Sequence, residues 1–143
     1  GGGGGGSYSG TAGGNGGFAG GGGGGGARTP GGNSGAGGSS EFAGGTGGIG
    51  CCSAGGGGGG GAGMGGAIFN HGGTVNIGVC TFTGNMAEGG ARGGNYFGGP
   101  AATLGGSYGP AIFNYYGTTN IDEEAVYEEN TAESDAEANY VYN

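Results

Sequence analysis

The sequence predicts an all-β chain in two parts: a glycine-rich region at 1–61, then stacked β-coils over 62–143. Three observations carry that expectation. Glycine supplies 52 of the 143 residues, against a usual share of about 7%. The block Ala67-Ile68-Phe69-Asn70 returns as Ala111-Ile112-Phe113-Asn114, 44 residues later. No segment has capped helical periodicity, whereas Thr74-Val75-Asn76-Ile77-Gly78-Val79 alternates and sets Val75, Ile77 and Val79 on one face.

The glycine-rich part comes first in the chain. Residues 1–66 hold 38 glycines and residues 67–143 the other 14, with unbroken runs at 1–6, 20–26 and 55–61. Ala19, seven glycines and Ala27 come back 35 residues later as Ala54, seven glycines and Ala62. Phe18-Ala19-Gly20 likewise returns as Phe42-Ala43-Gly44. With three prolines and no Gly-X-Y period along the chain, collagen is excluded. Two readings stand. One is a flexible linker, because ordering each residue costs about 1–2 kcal/mol and glycine buries nothing in return. The other is a polyglycine-II-like bundle, in which extended threefold helices rising about 3.1 Å per residue pair their backbones laterally.

Charge and apolar content narrow the function classes. The formal charge is −8, lysine is absent, and Arg28 and Arg92 are the two cations, so a run of phosphates cannot be neutralised and nucleic acid is excluded as a partner. Hydrophobic residues make up 32%, too few for an ordinary globular core. No apolar stretch approaches the roughly 20 residues of a membrane span, and no signal peptide is recognisable. A start inside a glycine run, without methionine, reads as a processed or partial chain.

The repeat extends well past its first block. Gly73-Thr74-Val75-Asn76-Ile77 aligns with Gly117-Thr118-Thr119-Asn120-Ile121. After a one-residue insertion, Phe82-Thr83-Gly84-Asn85 aligns with Tyr127-Glu128-Glu129-Asn130, and Ala87-Glu88 with Ala132-Glu133. Coils therefore start near 67, 111 and 140, the third as Val141-Tyr142-Asn143, and a glycine-rich loop at 89–109 lengthens the first interval. Stacking would put Ile68 over Ile112, Ile77 over Ile121 and Phe82 near Tyr127. Asn70, Asn114 and Asn143 would form one ladder at a turn, and Asn85 with Asn130 another, since asparagine bonds its own backbone and tolerates left-handed turns.

Gly65-Gly66-Ala67-Ile68 followed by Phe82-x-x-Asn85 resembles the GGAI and FxxN repeats of chlamydial polymorphic outer-membrane proteins. It is also similar to larger bacterial surface proteins with pectin-lyase-like repeats. The likeness covers 62–143, with Pro110 standing for one glycine and Tyr127 for phenylalanine in the second copy. It implies a short right-handed parallel β-helix, secretion, and a role in adhesion or surface structure.

Two coils are few for a free-standing solenoid, and an open coil end invites another strand. Tyr140, Val141 and Tyr142 are the expected assembly end, which makes the chain its own partner in a head-to-tail extracellular filament. The alternatives are an adhesive module of a larger surface protein, with a glycan or host receptor as partner, and an ice-binding protein. The outward pair Thr81-x-Thr83 is not repeated in the second coil, which weakens the last. Cys80 paired with Cys51 or Cys52 is the expected disulfide. Asp122, Glu123, Glu124, Glu128 and Glu129 read as a solvated face or as weak calcium ligands between coils; no other cofactor is expected. Tyr115-Tyr116 replaces His71-Gly72 at a turn, an outward aromatic patch. With so few cations to hold acidic sugars and no paired base, an enzyme is not expected.

Overall fold

The computed structural model describes residues 3, 5–6, 10–28, 33–94, 100–133 and 139–142, the last stretch mainly by its backbone. Among them there is no helix; the regular elements are strands, and the strands pair in parallel. The chain divides into two compact units. One comprises Gly1–Ala62 with Gly89–Gly106, the other Gly63–Glu88 with Ser107–Asn143. Most of the expected 89–109 loop therefore belongs to the glycine-rich unit. Its residues find backbone partners there: the amides of Gly90 and Gly93 donate to the carbonyls of Gly61 and Gly58.

The glycine-rich unit is organised around tract 20–26, whose residues are all buried. Each carbonyl from Gly21 to Gly26 accepts a hydrogen bond, and the donors come from three different neighbours. Gly3 and Gly6 donate to Gly21 and Gly24; Gly59 and Gly56 to Gly22 and Gly25; Gly38 and Gly35 to Gly23 and Gly26. The tract's own amides go to two neighbours, Gly22 and Gly25 to Gly45 and Gly48, Gly23 and Gly26 to Gly14 and Thr11. Every neighbour is met at intervals of three residues. That interval is the one a backbone with three residues per turn would give. Some neighbours run parallel to the tract and others antiparallel, as the order of the bonded numbers shows.

The same interval governs the outer tracts. Gly13, Gly16, Gly35, Gly38, Gly45 and Gly48 are buried, while Ala12, Asn15, Ala36, Ser39, Thr46 and Ile49 are exposed. An X-Gly-Gly period thus runs locally through 12–18 and 43–49, and through 33–39 with Ser34 in place of one glycine, although the chain as a whole has none. The duplicated Phe-Ala-Gly triplet also acquires a place. Phe18 and Phe42 form a parallel bridge with rings stacked 5.4 Å apart, each followed by an alanine at positive φ, Ala19 and Ala43.

In the second unit, the first repeat supplies β1 (Gly63–Met64), β2 (Ile68–His71), β3 (Thr74–Ile77), β4 (Thr81–Thr83) and β5 (Met86–Ala87). The second repeat supplies β6 (Ser107–Tyr108), β7 (Ile112–Tyr115), β8 (Thr118–Ile121), β9 (Val126–Glu128) and β10 (Thr131–Ala132), and β11 (Asn139–Tyr142) follows. Each strand of the first repeat lies parallel to its counterpart in the second. Like sits on like: Ile68 opposite Ile112, Phe69 opposite Phe113, Asn70 opposite Asn114, Ile77 opposite Ile121 and Phe82 opposite Tyr127. Phe82, Ala111 and Ile112 form the buried core, with Ile68, Ile77, Cys80, Ile121 and Tyr127 packed against it. The inserted residue falls in the turn 122–125, where Asp122 Oδ1 accepts the Glu124 amide at 2.9 Å.

Two details depart from the sequence reading. Val79 leaves the face shared by Val75 and Ile77 and is 65% exposed, because β3 ends at Ile77 and the chain turns. β11 pairs with β7 so that Val141 lies opposite Asn114, two residues out of the expected register with Ile112. A shift of two preserves which face each position meets, so the strand still fits the sheet. Asn143, expected in the ladder with Asn70 and Asn114, lies outside the described residues.

Turn chemistry separates the repeats. Gly72 and Gly84 have φ of +69° and +64°, and their counterparts Tyr116 and Glu129 hold +50° and +52°. A β-carbon there costs roughly 1–2 kcal/mol. Glu129→Gly is expected to raise stability by up to about 1 kcal/mol, the relief being partly offset by the freer unfolded chain. Denaturant unfolding measures it. In the glycine-rich unit, a methyl at Gly22 would overlap the carbonyl of Gly38, whereas one at Gly94 meets nothing within 4 Å. Gly22→Ala should therefore cost about 3 kcal/mol and Gly94→Ala under about 0.5 kcal/mol, read from paired melting curves.

Candidate assembly surface

Inward asparagines tie the two repeats together. Asn70 and Asn114 point into the unit, 5% and 1% exposed, where an unpaired amide would be costly. Asn70 Nδ2 donates to Asn114 Oδ1 at 2.7 Å and also reaches Gly73 O at 3.0 Å and Thr118 O at 3.2 Å. Its Oδ1 accepts the Gly73 amide at 3.2 Å, and Asn114 Nδ2 donates to Gly117 O at 2.8 Å. Each side chain thus fastens the turn three residues on, and two bonds, from Asn70 Nδ2 to Asn114 and to Thr118, cross between repeats. At another corner Asn130 Oδ1 accepts from the Asn85 amide at 3.0 Å and from Asn85 Nδ2 at 2.9 Å. Asn130 Nδ2 then donates to Phe82 O at 2.8 Å. An outer pair, Asn120 Nδ2 to Asn76 Oδ1 at 2.8 Å, was not singled out from sequence, though the repeat puts both residues in one column.

Outward side chains of β2 and β7 build an aromatic ladder. The Phe69 and Phe113 rings stack 5.7 Å apart and 1° from parallel. His71 and Tyr115 meet edge to face at 5.3 Å, and Tyr115 meets Tyr116 likewise at 4.5 Å. Phe69 remains 45% exposed and Tyr116 59%, while Phe113 is fully buried. The Tyr115-Tyr116 site is a turn, as the positive φ of Tyr116 requires.

Strand edges are the second feature. In the three-stranded sheet the order is β11–β7–β2, so β2 and β11 each pair on one side among the described residues. β3 with β8, β4 with β9 and β5 with β10 are two-stranded, leaving one free edge per strand among those residues. Val141 is 49% exposed on β11. The backbones of Tyr140 and Tyr142 lie in that strand, opposite Phe113 and Tyr115.

Electrostatics set the two edges apart. Asp122, Glu123, Glu124, Glu128, Glu129 and Glu133 belong to the second repeat, whereas Glu88 is the acidic residue of Gly63–Glu88. Across the repeats, Glu128 lies opposite Thr83, and the residues that follow them are Glu129 and Gly84. Calcium ligation gains nothing from this spread. Among the described residues no three carboxylate, histidine or cysteine side chains converge, and Asp122 serves the turn instead. Tyr127 stands where the first repeat has Phe82: its hydroxyl is buried without a partner, as is that of Thr119 opposite Val75, and burial, then the neighbouring Cys80, push the Tyr127 phenol above the ordinary range.

The disulfide expectation is corrected. Cys51, Cys52 and Cys80 are all free thiols, and Cys80 packs against the Phe82 and Ile112 core. Cys51 and Cys52 instead face each other, their sulfurs 2.8 Å apart. Two shallow depressions cross the repeats, about 300 Å³ beside Met86, Glu88, Thr131 and Glu133, and about 350 Å³ beside Asn76, Gly78, Asn120 and Asp122. No described helix is long and apolar enough to cross a membrane.

Removing a buried ladder amide should be far more damaging than removing an exposed one. Asn114→Ala is expected to lose roughly 2–3 kcal/mol, since the Gly117 carbonyl loses its side-chain donor and Asn70 Nδ2 its shortest bond. Asn76→Ala should stay within about 0.5 kcal/mol, a contrast that urea titration resolves. Against known proteins the chain stands apart: no family model, curated protein or solved structure matches it.

Proposed function

We propose that this chain is a structural subunit of an extracellular filament or surface layer. In this reading the repeats of the second unit are coils of a short parallel β-helix. The glycine-rich unit is a polyglycine-II-like bundle. The observation that supports it most is the in-register stacking of like residues, with strands β2 and β11 paired on one side only among the described residues. Whatever holds the second repeat onto the first can hold a further copy onto either edge.

Charge gives that addition a direction. Head-to-tail joining would bring an acidic second repeat against the nearly neutral first repeat of the next copy. Joining two second repeats would set Glu128 and Glu129 against the same residues of the partner, a like-charge contact that opposes pairing. A heterologous contact of this kind propagates rather than closing on itself. Phe69, half exposed on the β2 edge, would extend the aromatic ladder across the junction.

Deleting residues 138–143 should abolish assembly, and Phe69→Lys should weaken it by placing a charge on the receiving edge. Electron microscopy and light scattering of the purified chain read both. Filaments that survive the deletion, or a wild-type chain that stays monomeric at high concentration, would overturn the proposal. A second reading, adhesion to a surface glycan, draws on the exposed rings of Phe69 and Tyr116. It differs in outcome, because polysaccharide binding would persist in the assembly-deficient deletion and fall in Tyr116→Ala.

A further inference from the structure

The turn at 51–54 carries chemistry that assembly does not use. Cys51 and Ala54 exchange two backbone hydrogen bonds, Cys51 N to Ala54 O at 2.9 Å and Ala54 N to Cys51 O at 2.8 Å. They close a two-residue hairpin with Cys52 and Ser53 at its tip. The hairpin joins two tracts that run antiparallel and bond each other, through Gly45 N–H to Gly60 O and Gly48 N–H to Gly57 O. Both arms are therefore fixed by the bundle. Cys52 is forced to φ +54°, the left-handed region that a β-carbon disfavours. The result is an adjacent pair of free thiols, Cys52 exposed and Cys51 half-buried, with sulfurs 2.8 Å apart.

A disulfide bond measures about 2.03–2.05 Å, so the sulfurs are already within roughly 0.8 Å of bonding distance. We propose that Cys51 and Cys52 form a dithiol–disulfide site whose substrates are small-molecule disulfides. The exposed Cys52 thiolate attacks one sulfur of the small disulfide, whose S–S bond breaks and releases one thiolate. Cys52 then carries a mixed disulfide. Cys51 gives its proton to solvent and attacks the Cys52 sulfur; the Cys51–Cys52 bond forms and the second small thiolate leaves. In sum the protein gives up two hydrogens and the small disulfide is reduced to two thiols.

The order of attack follows from the surroundings. Cys51 is held above its ordinary pKa, first by its hydrogen bond with the Cys52 sulfur, then by burial and by the charge of Cys52, with Arg28 acting the other way. That favours Cys52 as the attacking thiol. Once Cys52 is capped by the mixed disulfide, that charge is gone and the second step is eased. Cys80 offers no such second step, because it packs against Phe82 and Ile112 in the other unit.

The test uses the full chain with Cys80→Ser, incubated with excess oxidised glutathione and weighed by mass spectrometry. The expected product has lost two hydrogens and retains no glutathione. Adding Cys51→Ser should trap one glutathione on Cys52. Peptide mapping of the wild-type chain under the same treatment should place the new bond between residues 51 and 52. A glutathione stably retained by the Cys80→Ser chain, a disulfide-linked dimer on a non-reducing gel, or a wild-type bond mapped to Cys80 would each overturn the proposal.

Discussion

Lateral hydrogen bonding between backbones that carry no β-carbon is the constraint on which the glycine-rich unit rests. Fixing a residue costs about 1–2 kcal/mol, while a single hydrogen bond returns on the order of 1 kcal/mol net, so an isolated glycine tract has nothing to hold it in shape. Tract 20–26 escapes that limit because several neighbours surround it at once. All of its carbonyls from Gly21 to Gly26 accept, and its paired amides reach two more tracts. The approach that allows this is also what forbids side chains: methyls at Gly21, Gly22, Gly24 and Gly25 would each overlap a neighbouring carbonyl. Packing that elsewhere comes from interlocking side chains comes here from their absence.

The second unit solves the same problem by the opposite means. Its backbone pairs in parallel across repeats, and its interior is filled by side chains laid on their own counterparts, isoleucine on isoleucine and asparagine on asparagine. Buried amides are tolerable because each is bonded twice over, to the turn below and to the neighbouring repeat. The second copy is the less ideal of the two. It places Tyr116 and Glu129 where the first has glycine, and a phenol where the first has a plain ring. Those departures leave the register unchanged, which argues that alignment is set by the ladders and not by the turns.

The β-unit was legible in the sequence wherever a column held two identical or similar side chains. Ala-Ile-Phe-Asn was enough to align β2 with β7, and the single insertion was readable from the offset between Ile77–Ile121 and Phe82–Tyr127. β11 was not, because Val141-Tyr142-Asn143 and Asn139-Tyr140-Val141 both alternate acceptably and only the fold chooses between them. In the glycine-rich part, unbroken runs such as 20–26 have no phase. The X-Gly-Gly period that fixes the outer tracts is visible only in short stretches, Ala12-Asn15-Phe18 and Ala43-Thr46-Ile49, and a search along the whole chain passes over it. The facing thiols of Cys51 and Cys52 were not legible, because nothing in the sequence shows that the tight turn at 51–54 places Cys52 in a left-handed conformation.

Because one residue in three on the outer tracts is exposed, the bundle largely separates what holds it together from what it shows to its surroundings. Ala12, Asn15, Ala36, Ser39, Thr46 and Ile49 differ in size and polarity, yet all occupy equivalent outward sites. Asn15, which accepts the Ser39 amide, and Thr46, which meets Thr103, also tie neighbouring tracts, whereas replacing Ala12, Ala36 or Ile49 would alter the exterior without removing a side-chain bond. Such a framework can diversify much of its outer coat, residue by residue, while the glycines beneath stay fixed.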